Sequence, residues 1–529
     1  MPTFSDTPTS EGATNVALNQ RAASAPYRRE EVNIQGDENA GRAIGFDDDG
    51  RLTTLVVDEN PFATVDTEAQ LDAALAAGRS IVLRGEGVGG VIPMTTEKDV
   101  NFRFTEVRGP GHLQLTMPPG GPNPRAFTVH ADDVTFRNFE LSATQSMDIN
   151  NCFGIGFCDD PAHNHGHRMR VIDMHIHNWC RCISKVDKTD EELTVPTTTH
   201  LDCLIDRLYA HTFRDYGLRL DYGMHRLVMR DSRVIGRLAG EVHTTNNALH
   251  GGIRWEDNSF VNCIFSDVDM IGFEATLGGY ANYHRRTRLY GCRAENCGWM
   301  GFSTMFGTGI LIDKCVAKKV KGCGFEIGGR PPEQVPPVPN DPAYYRYGQG
   351  IFDSCVVDGV TPSIYSVGQA KGISIDGAED TVVRGSTFIR NIHSDEPDGS
   401  GAVGVDVTNS ERCSVMDGTF VDAGHACIFF AAGLTPNNRG FHEAVGNTFR
   451  NSTGALPHYG VLVANTTVSV CNNTTWQKSG TSLTNAANTL SPAKVYCDGI
   501  AVAWSVPATP PATGYVPVPF TGSNLILPC

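Results

Sequence analysis

Gly272-Phe273-Glu274-Ala275-Thr276, Gly301-Phe302-Ser303-Thr304-Met305 and Gly324-Phe325-Glu326-Ile327-Gly328 are copies of one phrase, a glycine followed by alternating apolar and variable residues. The phrase returns at Gly217-Leu218-Arg219-Leu220-Asp221, Gly372-Ile373-Ser374-Ile375-Asp376, Gly404-Val405-Asp406-Val407-Thr408 and Gly460-Val461-Leu462-Val463-Ala464. Alternation of this kind reads as a short strand. A strand that keeps returning reads as a solenoid, in which each copy stacks on the next.

A second phrase runs out of phase with the first: Asp231-Ser232-Arg233-Val234, Asn258-Ser259-Phe260-Val261, Gly291-Cys292-Arg293-Ala294, Lys314-Cys315-Val316-Ala317, Ser354-Cys355-Val356-Val357, Ser386-Thr387-Phe388-Ile389, Gly418-Thr419-Phe420-Val421 and Asn447-Thr448-Phe449-Arg450. Each turn therefore holds at least two short strands. That pattern predicts an all-β chain, a right-handed parallel β-helix. A leucine-rich repeat would need a regular leucine spacing and a fixed asparagine, and neither is present. Ser232, Ser259, Cys292, Cys315, Cys355, Thr387, Thr419 and Thr448 line up as an internal ladder of small side chains, which makes most cysteines structural.

Composition agrees. Of 529 residues 56 are glycine, and runs of strong helix formers are nearly absent after position 80. The net charge of −16 argues against nucleic-acid binding, which needs a basic stripe. No apolar run approaches the roughly 18 residues of a membrane span, so no membrane insertion is expected. The opening MPTFSDTPTSEG has neither the basic nor the apolar segment of a signal peptide, so synthesis in a cytoplasm and reduced thiols are expected. Cys180-x-Cys182 and Cys292-x4-Cys297 lack zinc-finger spacing, and His163, His165 and His167 with His175 and His177 read as a polar loop. No metal and no other cofactor is expected.

Residues 1–60 are polar and without a lasting period, and read as an attachment arm. Residues 61–130 hold the one helix and the first coils: Thr67 and Gln70 form a capping box, Leu71, Ala74 and Leu75 an apolar stripe, and Gly78 a stop. Such a helix would shield the first open strand edge. Residues 131–477 are the β-helix shaft, interrupted by a proline-rich insertion before Gly350, and 478–529 a C-terminal cap or trimerisation segment.

The stretch Ala43-Ile44-Gly45-Phe46-Asp47-Asp48-Asp49-Gly50-Arg51-Leu52-Thr53, followed by the capping helix and the coils, resembles the layout of bacteriophage tailspikes and related virion spikes of the pectate-lyase-like β-helix superfamily, head spikes of phage-like particles included. The resemblance implies a homotrimer, an N-terminal arm docked on a virion head or tail protein, and a surface that meets host polysaccharide. It carries over no catalytic signature, so a site must come from stacking.

With the coil between Gly217 and Gly272 set as Ala239-Gly240-Glu241-Val242-His243, Val242 inward, the outward column reads Arg219, Glu241, Glu274, Ser303, Glu326. The neighbouring column reads Asp221, His243, Thr276, Met305. Parallel strands lie about 4.8 Å apart, so Glu241 and Glu274 would be adjacent and Glu274 and Glu326 about twice as far apart. Separations of about 5 Å and about 6.5–9.5 Å suit retaining and inverting glycoside hydrolysis respectively. Glu241, Glu274 and Glu326 are thus the catalytic candidates, one carboxyl being kept protonated by its neighbour to act as general acid. Arg219, Asp221 and His243 are candidates for binding substrate. Trp255, Tyr280, Tyr283 and Trp299, with Arg285, are candidates for stacking on sugar faces. Three readings stay open: a spike that cleaves host polysaccharide, a spike that only binds it, and a free polysaccharide lyase or hydrolase.

Overall fold

The computed structural model describes residues 42–46, 52–56, 62–84, 90–116, 125–144, 152–157, 166–185, 199–275, 284–329, 348–365, 369–389, 402–423, 426–431, 441–451, 459–464, 466–471, 473–477, 484–490, 494–497, 500–502 and 516–517. Both repeated phrases are strands. One coil runs through Arg288–Tyr290, Arg293–Cys297 and Met300–Met305, and the next through Gly307–Asp313, Val316–Lys318 and Cys323–Gly328. Each strand pairs in parallel with its counterpart one coil on: Arg288 with Leu311, Arg293 with Val316, Met300 with Cys323. The first strand of a coil joins one long sheet and the other two join a second. The chain is a parallel β-helix, as the phrases predict.

One residue per coil turns the chain from the first sheet into the second. Asp231, Asn262, Lys314, Ser354 and Asp417 do so with φ between 50° and 53°, and Gly291, Gly385 and Gly446 with φ between 58° and 68°. This left-handed conformation costs a residue with a Cβ about 1–2 kcal/mol. A stacked hydrogen bond offsets it, because the N–H of each corner donates to the next coil: Asn262 to Tyr290 O, Lys314 to Asp353 O and Ser354 to Arg384 O, each at 2.9 Å.

The small residue after each corner points inward. The buried ladder is Ser232, Cys263, Cys292, Cys315, Cys355, Ser386. This corrects the expected one: Ser259 belongs to a strand of the first sheet, and Thr387, Thr419 and Thr448 sit one position further on, half-buried on the outward side. A one-residue slip moves a strand side chain to the opposite face. The thiols keep a polar contact, Cys292 Sγ donating to Phe260 O at 3.3 Å and Cys355 Sγ to Ile312 O at 3.4 Å.

The glycine that opens each phrase has a steric cause. A Cβ on Gly272, Gly301, Gly324 or Gly372 would lie 2.7, 2.6, 2.6 or 2.4 Å from the carbonyl oxygen of the corresponding glycine in the next coil. Behind it the core stacks ring on ring, with Phe302 and Phe325 at 4.9 Å and 4°.

The helix Glu68–Ala76 has the expected capping box between Thr67 and Gln70 and buries Leu71, Ala74 and Leu75. Its outer turn grips the buried Lys98, whose Nζ lies 2.6 Å from Glu68 Oε1 and 2.8 Å from Asp72 Oδ1. Nearer the N-terminus, Arg42–Phe46 and Leu52–Val56 pair antiparallel with each other. At the other end parallel pairing continues to Lys494–Cys497, on which Ile500–Val502 folds back antiparallel, while Val516–Pro517 pairs antiparallel with Thr484–Leu490. Among the described residues no helix is long and apolar enough to cross a membrane.

Candidate functional site

The outward column exists, with a different membership. Ladder pairing puts Arg219, His250, Glu274, Ser303, Glu326, Ser374 and Asp406 on successive rungs of one face. Glu241 is not among them. The coil between Gly217 and Gly272 is Asn247–Ile253, in which Leu249 faces inward and His250 outward, whereas Val242, expected inward, is 97% exposed. Glu241 lies in the turn before that strand, where its carboxylate accepts from Thr212 Oγ1 at 2.8 Å and Leu238 N–H at 2.7 Å. His243 leaves the column with it, its Nε2 being 3.2 Å from Gly236 O.

The column is recessed: Ser303 is 1% and Asp406 5% exposed, and only Arg219, Glu274 and Glu326 reach half-burial. Glu274 is fixed by two donors, His250 Nδ1 and Asn247 Nδ2, which share its Oε2. The His250 ring stacks on Tyr216 at 4.6 Å and 19°. Arg219 lies over the other part of that tyrosine, 5.3 Å from the centroid, and its Nε donates to Asp221 Oδ2 at 2.7 Å. Two rungs from Glu274, Glu326 accepts from Ser303 Oγ at 2.8 Å. Burial raises the Glu326 pKa, and the charges of Asp376 and Glu274 add to the rise, against the lowering by Ser303 and by the Lys371 ammonium. Lys371 is itself paired with Asp406, Nζ to Oδ2 at 2.5 Å.

The column thus places a carboxyl whose pKa is raised by burial two rungs, about 9–10 Å along the ladder, from a carboxylate held by two donors. The first can give a proton to a leaving oxygen, and the second can take one from a water lying between them. The retaining geometry disappears with Glu241.

Of the aromatic candidates, Trp255 is a core residue, 1% exposed, its ring against Phe260 and its Nε1 donating to Leu220 O at 2.8 Å. Trp299 is half-buried on the strand end that leads to Ser303, packed on Ile271, Met300 and Cys323, with Tyr365 at 5.5 Å. Arg285 belongs to the first sheet, away from the column. Tyr280 and Tyr283 lie outside the described residues. Sequence reading missed His250, Asn247, Tyr216, Lys371 and Tyr365. Only His250 left a signal, as the polar residue after Leu249 in a phrase whose glycine is replaced by Ala248.

A second polar cluster occupies the neighbouring face. His175 and His177, expected in a loop, are residues of the strand His175–Lys185. Ladder pairing sets His112, Glu140, His175 and Tyr209 in one column and Gln114, Ser142, His177 and His211 in the next. Burial lowers the pKa of His112, His175 and His211, the last to about 4, where His177 and His175 add to the lowering. Of the described residues, His112, Glu140 and His177 could hold a metal ion.

Fold and face together define a parallel β-helix with a recessed, carboxylate-bearing column along its axis. No family model matches the chain, and no curated protein matches its sequence. Solved structures similar to it include the catalytic domain of an alpha-1,3-glucanase in complex with tetrasaccharides, at 11% identity over 83% of this chain and 68% of that one, TM-score 0.44. The pre-mature bacteriophage phi29 gene product 12 matches at 12% identity over 82% of this chain, TM-score 0.45, and this chain spans 54% of its length. Tailspike protein 3 of bacteriophage CBA120 matches at 11% identity over 92% of this chain and 68% of that one, TM-score 0.36.

Proposed function

We propose that the chain is the spike of a phage or phage-like particle and that its recessed column binds and hydrolyses a host cell-surface polysaccharide. The observation that carries the chemical part is the pair Glu326 and Glu274, two rungs apart, one raised in pKa by burial and the other held by His250 and Asn247. In this reading Glu326 is the general acid and Glu274 the general base of an inverting hydrolysis. Arg219 and Lys371 flank them with positive charge suited to a sugar carboxylate or sulfate. Trp299 and Tyr365, paired at the start of the strand that carries Ser303, offer ring faces. The spike assignment is supported by the layout of arm, capping helix and shaft, and implies a homotrimer docked through residues 1–60.

Purified protein incubated with capsular polysaccharide is expected to release oligosaccharides with new reducing ends and no unsaturated uronate. Glu326→Gln and Glu274→Gln should each lower the rate on the order of 10²–10⁴-fold. Unsaturated uronate would show elimination instead and overturn the roles given to the two carboxyls. Tight binding without release would leave a spike that only binds.

A further inference from the structure

We propose that the histidine face beside the column is a binding site for a divalent transition metal, of the zinc class, with His112, Glu140 and His177 as its ligands. The three donor atoms already converge. Glu140 Oε1 lies 2.8 Å from His177 Nε2 and 3.4 Å from His112 Nε2, and all the ligand atoms lie within 4.8 Å of one another. Ligands at bonds of about 2.0–2.1 Å around a tetrahedral ion are about 3.4 Å apart, so small side-chain rotations suffice to close the set. Two imidazoles and one carboxylate are the donor chemistry of zinc sites that keep a fourth position open. Glu140 is 35% exposed, so the cluster is reached from solvent.

A chain of hydrogen bonds orders the rings behind the three ligands. Thr212 Oγ1 lies 2.8 and 3.0 Å from the two oxygens of Glu241, which can only accept, so the hydroxyl gives its proton to that carboxylate. His211 Nδ1, 2.8 Å from the same hydroxyl oxygen, must then be its N–H donor, which leaves His211 Nε2 bare. His175 Nε2, 2.7 Å from that bare nitrogen, carries the proton between them. The remaining nitrogen of His175, Nδ1, is then a lone pair 3.7 Å from Glu140 Oε2. Glu241 thus ends a relay that fixes the ring behind the site, in the way outer carboxylates orient histidines around metals.

The rings are also held in place. His177 and His211 stack at 4.9 Å and 6°, and His175 stacks on Tyr209 at 5.1 Å and 19°. The cluster spans three consecutive coils, so an ion there would tie them together across their outer face.

The test uses tag-free full-length protein, stripped with chelator and dialysed. Calorimetric titration with Zn²⁺ should show about one equivalent per chain, and Co²⁺ should give the strong visible absorption of a tetrahedral site. Glu140→Gln, which keeps the shape of the side chain, and His177→Ala should each weaken Zn²⁺ binding at least tenfold. Thr212→Val, which breaks the relay without touching a ligand, should weaken it about 10–100-fold. His225→Ala, on another face, should bind as the parent does. Far-UV circular dichroism identifies any variant that has not folded, and Glu140→Gln then decides alone. Absence of stoichiometric Zn²⁺ binding, or binding that Glu140→Gln leaves unchanged, overturns the proposal.

Discussion

At the residue scale, position relative to the column decides what a carboxylate can do. Glu241 and Glu326 are both glutamates near the column in sequence. One ends in a turn, bonded to Thr212 and Leu238, and the other is held beside Ser303 with its pKa raised by burial. Glu241→Gln should therefore leave polysaccharide hydrolysis within about twofold of the parent, measured as reducing ends released. Lys371 tests the acid. Its ammonium lowers the Glu326 pKa, so Lys371→Gln should raise that pKa further. A general acid works only while protonated, so activity falls as pH rises through its pKa, and the alkaline limb of the rate profile should move to higher pH in the variant. The lost pairing with Asp406 would appear separately, as a lower unfolding midpoint. Cysteines give a third test, since burial raises the thiols of Cys263, Cys315 and Cys355, the last to about 12. Iodoacetamide should leave these three unlabelled in native protein and label them in denaturant, read by peptide mass mapping.

At the element scale, the glycine of the phrase and the capping helix carry the argument. Gly324→Ala puts a methyl group 2.6 Å from Gly372 O, inside any real contact, and relief requires two stacked strands to separate. A loss of about 1–3 kcal/mol is expected, read as a lower denaturant midpoint. The capping helix should show a pH signature. Burial raises the Glu68 pKa, but Lys98 and the donors of Thr95 and Thr96 outweigh it and hold the carboxyl at about 2 against 4.5 for the free group. A depressed carboxylate stabilises the fold fully above its unfolded pKa. The stabilisation is lost as pH falls from about 4.5 to about 2. Glu68→Gln should unfold about 1–2 kcal/mol more easily at pH 6, and the difference should vanish near pH 2.

At the scale of the whole molecule, each coil touches only its neighbours, so coils are modular and the spacing along the axis can be edited. Residues 300–322 make one full turn, from Met300 to the residue before Cys323, its ladder partner one coil on. Their removal should leave a folded β-helix by far-UV circular dichroism. It would also bring Glu326 one rung from Glu274, about 5 Å, too close to admit the attacking water of an inverting mechanism. Reducing-end release should then drop to the level of Glu274→Gln.

How much of this was legible follows from which coils keep the phrase. Phe273, Phe302 and Phe325 each follow a glycine, so the rungs of Glu274, Ser303 and Glu326 could be read in register from the chain alone. The Asn247–Ile253 coil has Ala248 in place of the glycine, and a nearby Ala239-Gly240-Glu241-Val242 imitates the phrase better than the true strand does. A lone period-2 match over five residues cannot tell a strand from a turn. Trp255 was equally hidden, because its ring fills the space left by Gly251, 2.2 Å from where a Cβ would stand. The histidine face was hidden for another reason: Glu140 and His177 are far apart in the chain and meet only because consecutive coils stack.

The sequence by itself determined the repeat, the all-β parallel stacking and the helix Glu68–Ala76 with its capping box, because these depend on local alternation, glycine and capping chemistry within a few residues. Only the tertiary structure decided that His250 takes the rung expected of Glu241, that Trp255 is core, and that His112, Glu140 and His177 converge. Those outcomes depend on the register between coils, and a shift of one residue there reverses which face a side chain meets.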